Sequence, residues 1–428
     1  MTLLPVRAAL VDGRWIPRVT LHLRDGHIEN HSATPHDTSP VADLAIPALH
    51  NAHSHAFQWA MRGDTHLLHP DRPHDDFWSW REAMYHHALH LTPDRVHDIA
   101  LDLYRTLRQQ GWCSVAEFHY LHHEDPDRPG QGWTFASALA RAARRAGIHL
   151  TLVPVAYHRA GAGRPATGAQ RRFAFPSVAS FLACADQLHQ QLRPLGARVA
   201  IGAHSVRAVP ADWLRPIAQW AHTQDTPLHI HVAEQRRELQ ECHDEHGRSP
   251  IALLRDHGFL SPRTVLVHAT HLSDDDLDII ARSGATVCVC PSTERDLGDG
   301  LVRARDLLHR DVPLCVGTDS HTHVDALGEL ALLELHERLR LERRNALTHP
   351  ERGLLRPAQT LLNAGIVHGA RAVGLPHASL EPGSPADLLL LDAPAAHTDP
   401  ARALDRLLFA ARSGRIRETL VAGRATGD

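Results

Sequence analysis

The sequence predicts an α/β fold, a (β/α)8 TIM-type barrel with a small β domain built from the N- and C-terminal segments. Two observations carry this. Eight short apolar segments, near residues 45–52, 114–120, 149–157, 198–204, 227–233, 264–270, 285–291 and 313–319, recur with helical or loop-like stretches between them. Strand alternating with helix implies a parallel sheet, and eight such units imply a closed barrel. Second, four of these segments lead into a potential metal ligand: His53 and His55, then His231 followed by Glu234, then His268, then Asp319. A parallel barrel collects its active-site groups at the C-terminal ends of its strands. Three imidazoles and a carboxylate suit a catalytic zinc or iron centre with room for water. The chain reads as a metallohydrolase.

In chain order, residues 1–44 hold short strand-like pieces, Ala8–Leu10 and Val19–Leu23, between Gly and Asp turns. The apolar run Leu44–Leu49 then opens the barrel. Helical spacing marks Phe135–Ala146, Val178–Leu192 and Asp274–Ala281 between strands. Loops rich in Gly, Pro and charge follow strands 1, 2, 3 and 7, at Gly63–Asp76, His122–Gly132, Arg159–Arg172 and Thr293–Gly300. In a barrel these cover the active face and set specificity. Two helical stretches, Val324–Arg344 and Pro357–Val373, separate barrel from tail, where Leu388–Leu391 and Glu418–Val421 are strand-like again. The expected division is 1–44 and 380–428 as one small β domain, and 45–379 as the barrel.

Composition narrows the function. The 428 residues are 43 % hydrophobic with a net charge of −4, no basic run and no stretch long enough to span a membrane. Nucleic acid and membrane are therefore not expected partners. The N-terminus lacks the order of a signal peptide, and six cysteines without a CxxC pair suit a cytoplasmic, reduced protein. Cys288, Cys290 and Cys315 lie in apolar runs and read as small core residues. All 45 basic residues are arginine. That excludes Schiff-base chemistry, a P-loop lysine and a lysine carbamate bridging two metals, so a mononuclear site is favoured.

His-x-His spacing alone decides nothing. With 37 histidines in 428 residues, about three such pairs arise by chance, and three exist, at 53/55, 229/231 and 321/323. The first two end apolar runs. The third follows Asp319 on a loop and reads as solvated surface histidine.

Longer strings carry a resemblance. His-x-His on strand 1, His on strands 5 and 6, Asp on strand 8 and the tail Leu380–Asp392 resemble the amidohydrolase superfamily. Within it, Asn51–Gln58, Ala116–Tyr120, His204–Val209, His229–Gln235, Val267–His271, Leu297–Gly300 and Asp319–His321 are similar to the formimidoylglutamate deiminases. The similarity runs from about residue 45 to the C-terminus. It departs at Trp59, where a basic residue is expected, and at Ser292–Asp296, where Ala-Asn is expected before Leu297.

The resemblance implies one divalent metal held by His53, His55, His231 and Asp319, zinc first and iron as the other metal these ligands suit. It implies Glu234 as general acid–base, His268 over the metal water, and Asp319 both ligating and accepting a hydrogen bond from that water. The implied substrate is a small dianion with a cationic amidine-like head, N-formimino-L-glutamate, hydrolysed to N-formyl-L-glutamate and ammonia in histidine degradation. Arg81, His204 and Arg207 would bind its carboxylates, with neutral hydrogen bonds from Gln58 and Tyr120. A homodimer is implied as well. A second reading is a deaminase of an aminated heterocycle such as guanine, kept open by Trp59, Trp78 and Trp80. A third, a barrel without catalysis serving as scaffold, is disfavoured by retention of the ligands, Glu234 and His268.

Overall fold

The computed structural model describes residues 1–68, 74–125, 133–376, 379–393, 399–410 and 416–426. Eight parallel strands form the barrel: Leu49–Ser54, Trp112–His119, His149–Ala156, a fourth strand split into Arg198–Val199 and Ile201–Ala203, then Leu228–Val232, Thr264–His268, Thr286–Val289 and Leu314–Val316. They are buried almost throughout, as strands covered on both faces must be, which is why they read as continuous apolar runs. Strands eight and one meet without a regular ladder. A single bridge pairs Ser54 with Asp319. Thr318 N–H and Asp319 N–H both donate to the His53 carbonyl at 3.0 Å, and His55 N–H donates to the Asp319 carbonyl at 3.1 Å. The barrel's seam thus runs through the candidate ligands.

The fold class is as the sequence predicts, with corrections at particular elements. The apolar run taken as the first barrel strand divides at Ala48. Ala42–Pro47 pairs with the tail strand Leu388–Leu391 and with Thr2–Val11, and only Leu49–Ser54 enters the barrel. Residues 293–300 are not one loop, because Pro291–Asp296 is a helix with proline in its first turn. The stretch Pro357–Val373 is helical but widens over Ala364–His368. There Gly365 and Gly369 press on the first barrel strand, where an added Cβ would lie 2.7 Å from Leu49 and 3.0 Å from His50. The expected loops Gly63–Asp76 and His122–Gly132 lie partly outside the described residues.

The small sheet has the order Ile416–Leu420, Leu388–Leu391, Ala42–Pro47, Thr2–Val11, Arg14–Arg24, His27–Ala33. It joins both chain ends around its own core of Val6, Leu21, Ile28 and Leu388. Asp387 pins it to the base of the barrel: its carbonyl accepts from Ala48 N–H at 3.0 Å, and its carboxylate meets His149 Nε2 at 3.1 Å. All six cysteines are free and buried.

Candidate metal centre and its surroundings

Each candidate ligand stands where a strand ends and the backbone turns sharply. Ala233, His268, Ala269, Asp319 and His321 all have left-handed backbones, with φ of 51°, 69°, 50°, 50° and 66°. Such conformations cost free energy in residues other than glycine and persist only where the surroundings hold them. Here they turn the chain so that side chains of neighbouring strands converge. His53 Nε2 lies 3.1 Å from His55 Nε2 and 3.0 Å from His231 Nε2. Asp319 Oδ1 lies 3.2 Å from His55 Nε2 and 3.6 Å from His53 Nε2. Gly317 makes room for this packing, since a Cβ there would meet His53 Cβ at 2.7 Å.

The donor chemistry fits a cation. His55 Nδ1 is 3.0 Å from the Phe118 carbonyl, so that nitrogen carries the proton and Nε2 is bare. Burial drives His53 and His231 well below the usual imidazole range and His55 down to about 3, so all three are neutral. One proton on His53 Nε2 can point at only one of its two neighbours. At least one nitrogen pair therefore meets without a hydrogen bond, a mismatch that a metal ion removes.

Residues 44–426 match the amidohydrolase family. The chain belongs to the amidohydrolase family. It is 39 % identical over 392 residues to a formimidoylglutamate deiminase of Pseudomonas aeruginosa, covering 90 % of this chain and 84 % of that one. It is 28 % identical over 391 residues to a 5-methylthioadenosine/S-adenosylhomocysteine deaminase of Nitratidesulfovibrio vulgaris, covering 89 % and 79 %. The crystal structure of an amidohydrolase from Brucella melitensis superposes with a TM-score of 0.91 at 33 % identity, covering 99 % and 94 %. Amidohydrolases are metal-dependent, and among the described residues His53, His55 and His231 form a buried cluster with metal-ligand spacing.

Around that cluster the remaining amidohydrolase candidates form one connected set. His268 Nε2 lies 3.6 Å from Asp319 Oδ2 and 3.8 Å from Glu234 Oε1. Burial alone would discharge His268, but Glu234, a bond to Glu294 and Asp319 outweigh it and push its pKa up to about 10. Burial raises Asp319 to about 7 against the pull of His268. Arg207, buried, reaches Glu234 Oε2 at 3.5 Å and Glu238 Oε2 at 3.8 Å. His204 sits with its ring centre 5.1 Å from that of His231 and 5.4 Å from that of Tyr120. Gln58 donates to the Tyr120 hydroxyl at 3.0 Å.

Arg81 belongs to the helix Phe77–Leu89, which Asp76 caps by accepting from Trp78 N–H and Ser79 N–H. The Trp78 ring lies 4.6 Å from the Arg81 guanidinium and 5.4 Å from that of Arg207. Trp59 is not part of this cluster. It is buried and donates to Asp102 at 2.7 Å.

Sequence reasoning missed four groups. Glu294 lies 3.2 Å from His268 Nδ1 and also accepts from Cys290 N–H at 2.9 Å. Glu238, fully buried, accepts from Ala233 N–H and Glu234 N–H at 3.2 and 3.3 Å and is pushed by its burial up to about 7. Glu117 is considered below. His321, expected on the surface, is fully buried, with Nδ1 2.9 Å from Thr318 Oγ1. The available signal was position: Glu238 follows Glu234 by four residues, and Glu294 stands in the departing string before Leu297.

Proposed function

We propose that this amidohydrolase hydrolyses N-formimino-L-glutamate to N-formyl-L-glutamate and ammonia, on one divalent metal held by His53, His55, His231 and Asp319. The likeness to the Pseudomonas aeruginosa deiminase supports the substrate. The observation that carries it is a cluster of guanidiniums on one Trp78 ring, Arg81 and Arg207 beside Glu234, with Arg237 at 4.6 Å as a third. Two arginines suit two carboxylates through charge-assisted forks. Zinc is the preferred metal, since three imidazoles and one carboxylate oxygen match its ligand set.

A bound divalent metal supplies a water whose pKa is lowered to about 7. The protein's own groups do the rest. Glu234 accepts one water proton and returns it to the departing nitrogen, and Asp319 takes the second as the new hydroxyl becomes the formyl carbonyl, so C=O replaces C=N and ammonia leaves. His268, held charged between Glu234, Asp319 and Glu294, stabilises the negative charge developing on the attacking oxygen. Arg81, His204 and Arg207 hold the carboxylates, and Gln58 with Tyr120 adds neutral hydrogen bonds. We assign the reaction to the barrel, which begins at Leu49 rather than at residue 45 and runs to about residue 379, a cytoplasmic setting to the enzyme, and a homodimer as its assembly. No helix among the described residues is long and apolar enough to cross a membrane.

The test is ammonia release by zinc-loaded protein from N-formimino-L-glutamate, with guanine and 5-methylthioadenosine alongside. Release from the first alone supports the proposal. Release from a heterocycle alone moves the substrate to the second reading and leaves the metal centre intact.

A further inference from the structure

Behind the ligands runs a second set of buried polar groups that makes no direct contact with the implied metal. Asn51 Nδ2 donates to Thr318 Oγ1 at 2.7 Å, and Thr318 Oγ1 lies 2.9 Å from His321 Nδ1. His321 Nε2 lies 3.3 Å from Ser54 Oγ, which donates to Glu117 Oε2 at 2.7 Å. The other Glu117 oxygen accepts from Ala56 N–H at 2.6 Å, and Tyr104 donates to the carboxylate at 3.1 Å. Asn51, Ser54, Glu117, Thr318 and His321 are all buried.

The direction of this chain is fixed from both ends. An amide NH2 can only donate and a carboxylate can only accept. Each hydroxyl between has one proton, so Thr318 must give to His321 Nδ1 and Ser54 must give to Glu117. His321 then carries its proton on Nε2 and passes it toward Ser54 Oγ. Every donor and acceptor along the path is used in one arrangement.

The path encloses the ligands. Ser54 and Ala56, both held by Glu117, flank His55. Phe118, next to Glu117, takes the His55 Nδ1 proton. Asn51 Oδ1 accepts from Thr318 N–H at 3.1 Å, just before Asp319, and from His53 N–H at 3.3 Å. The path also crosses the seam between strands eight and one, where the backbone supplies only one bridge.

We propose that Glu117 and His321, acting through Ser54, are positioning residues that set the geometry of His53, His55 and Asp319 around the metal. This rests on the metal-centre reading above. Outer partners of metal ligands typically change affinity about 10- to 100-fold.

The test is zinc affinity by chelator competition and the visible absorption spectrum of the cobalt-substituted protein, for wild type, Glu117→Gln, His321→Leu and the milder Ser54→Ala. Gln replaces one acceptor oxygen by an NH2, which either faces the Ala56 N–H or turns Ser54 and Tyr104 from donors into acceptors and so reverses the path. All three variants are expected to bind zinc about 10- to 100-fold more weakly and to shift the cobalt bands. Melting of the metal-free proteins identifies any variant that has not folded, and Ser54→Ala then carries the comparison. Folded variants with wild-type affinity and an unchanged cobalt spectrum would overturn the positioning role. A wild-type protein that takes up no zinc would instead overturn the metal centre itself, and the positioning role with it.

Discussion

Glu234→Gln keeps the size and reach of the side chain and removes only the proton acceptor. It is expected to bind one metal per chain and lose turnover by about 10²- to 10⁴-fold, the usual contribution of a positioned acid–base group; wild-type rates in metal-replete variant would remove Glu234 from the mechanism. Arg207 is less simple, because the structure gives it two tasks. Its guanidinium faces Glu234 and the fully buried Glu238. Arg207→Met should raise KM for N-formimino-L-glutamate roughly tenfold or more, the worth of a lost charge-assisted bond. It should also cost about 3 kcal/mol of stability by leaving Glu238 buried and unpaired. Adding Glu238→Gln removes that buried charge but sets its NH2 against the Ala233 or Glu234 N–H, so it should recover part of the melting temperature and leave KM high. A double variant that recovers both would show that the arginine serves the fold alone.

At the scale of elements, the strand ends decide the site. Gly317 is the residue that lets strand eight approach strand one, with His53 Cβ, N and O all within 2.9 Å of where a Cβ would stand. Gly317→Ala is expected to destabilise the protein by about 1–3 kcal/mol, the cost of overpacking, and to weaken zinc binding, read by melting and by chelator competition. Unchanged values for both would mean the seam has slack that the contacts do not show. The same elements mark what sequence reveals. Strands ending on His231, His268 and Asp319 were legible because a strand covered on both faces is largely apolar ahead of its functional residue, whereas His53, preceded by His50 and Asn51, was marked by the apolar run before its strand. The division of the run at Ala48 was not legible, because Leu44–Ile46 is equally apolar whether it faces the barrel or the tail strand. His321 was not legible either. Its burial comes from Thr318, Ser54 and the Trp59 ring, contributed from positions far apart in the chain.

For the whole molecule, the balance of buried titratable groups predicts how stability varies with pH once the metal is stripped. Among the described residues eight buried histidines, His53, His55, His119, His122, His229, His231, His321 and His336, have pKa values lowered by burial. Each holds its proton less tightly when folded and gains proton occupancy on unfolding below about 6.5, so its contribution to stability is lost as pH falls through that value. Five buried carboxyl groups, Glu117, Glu238, Asp299, Asp319 and Glu329, are raised by burial to about 7 or 8. They release protons on unfolding above their ordinary range, so their contribution is lost as pH rises. His268, pushed up to about 10, is charged in both states below pH 6 and drops out. Between pH 6 and 5 these histidines, joined by His204 and the less buried His87, His271, His309 and His368, which burial also lowers, outnumber the carboxyl groups, and unfolding should take up at least about three protons. Stability should then fall by at least about 4 kcal/mol per pH unit at its steepest. Urea unfolding of the metal-free protein at pH 7, 6 and 5.5 reads this directly. A midpoint that holds steady or rises toward pH 5.5 would mean that the buried carboxyl groups, not the histidines, govern the acid response.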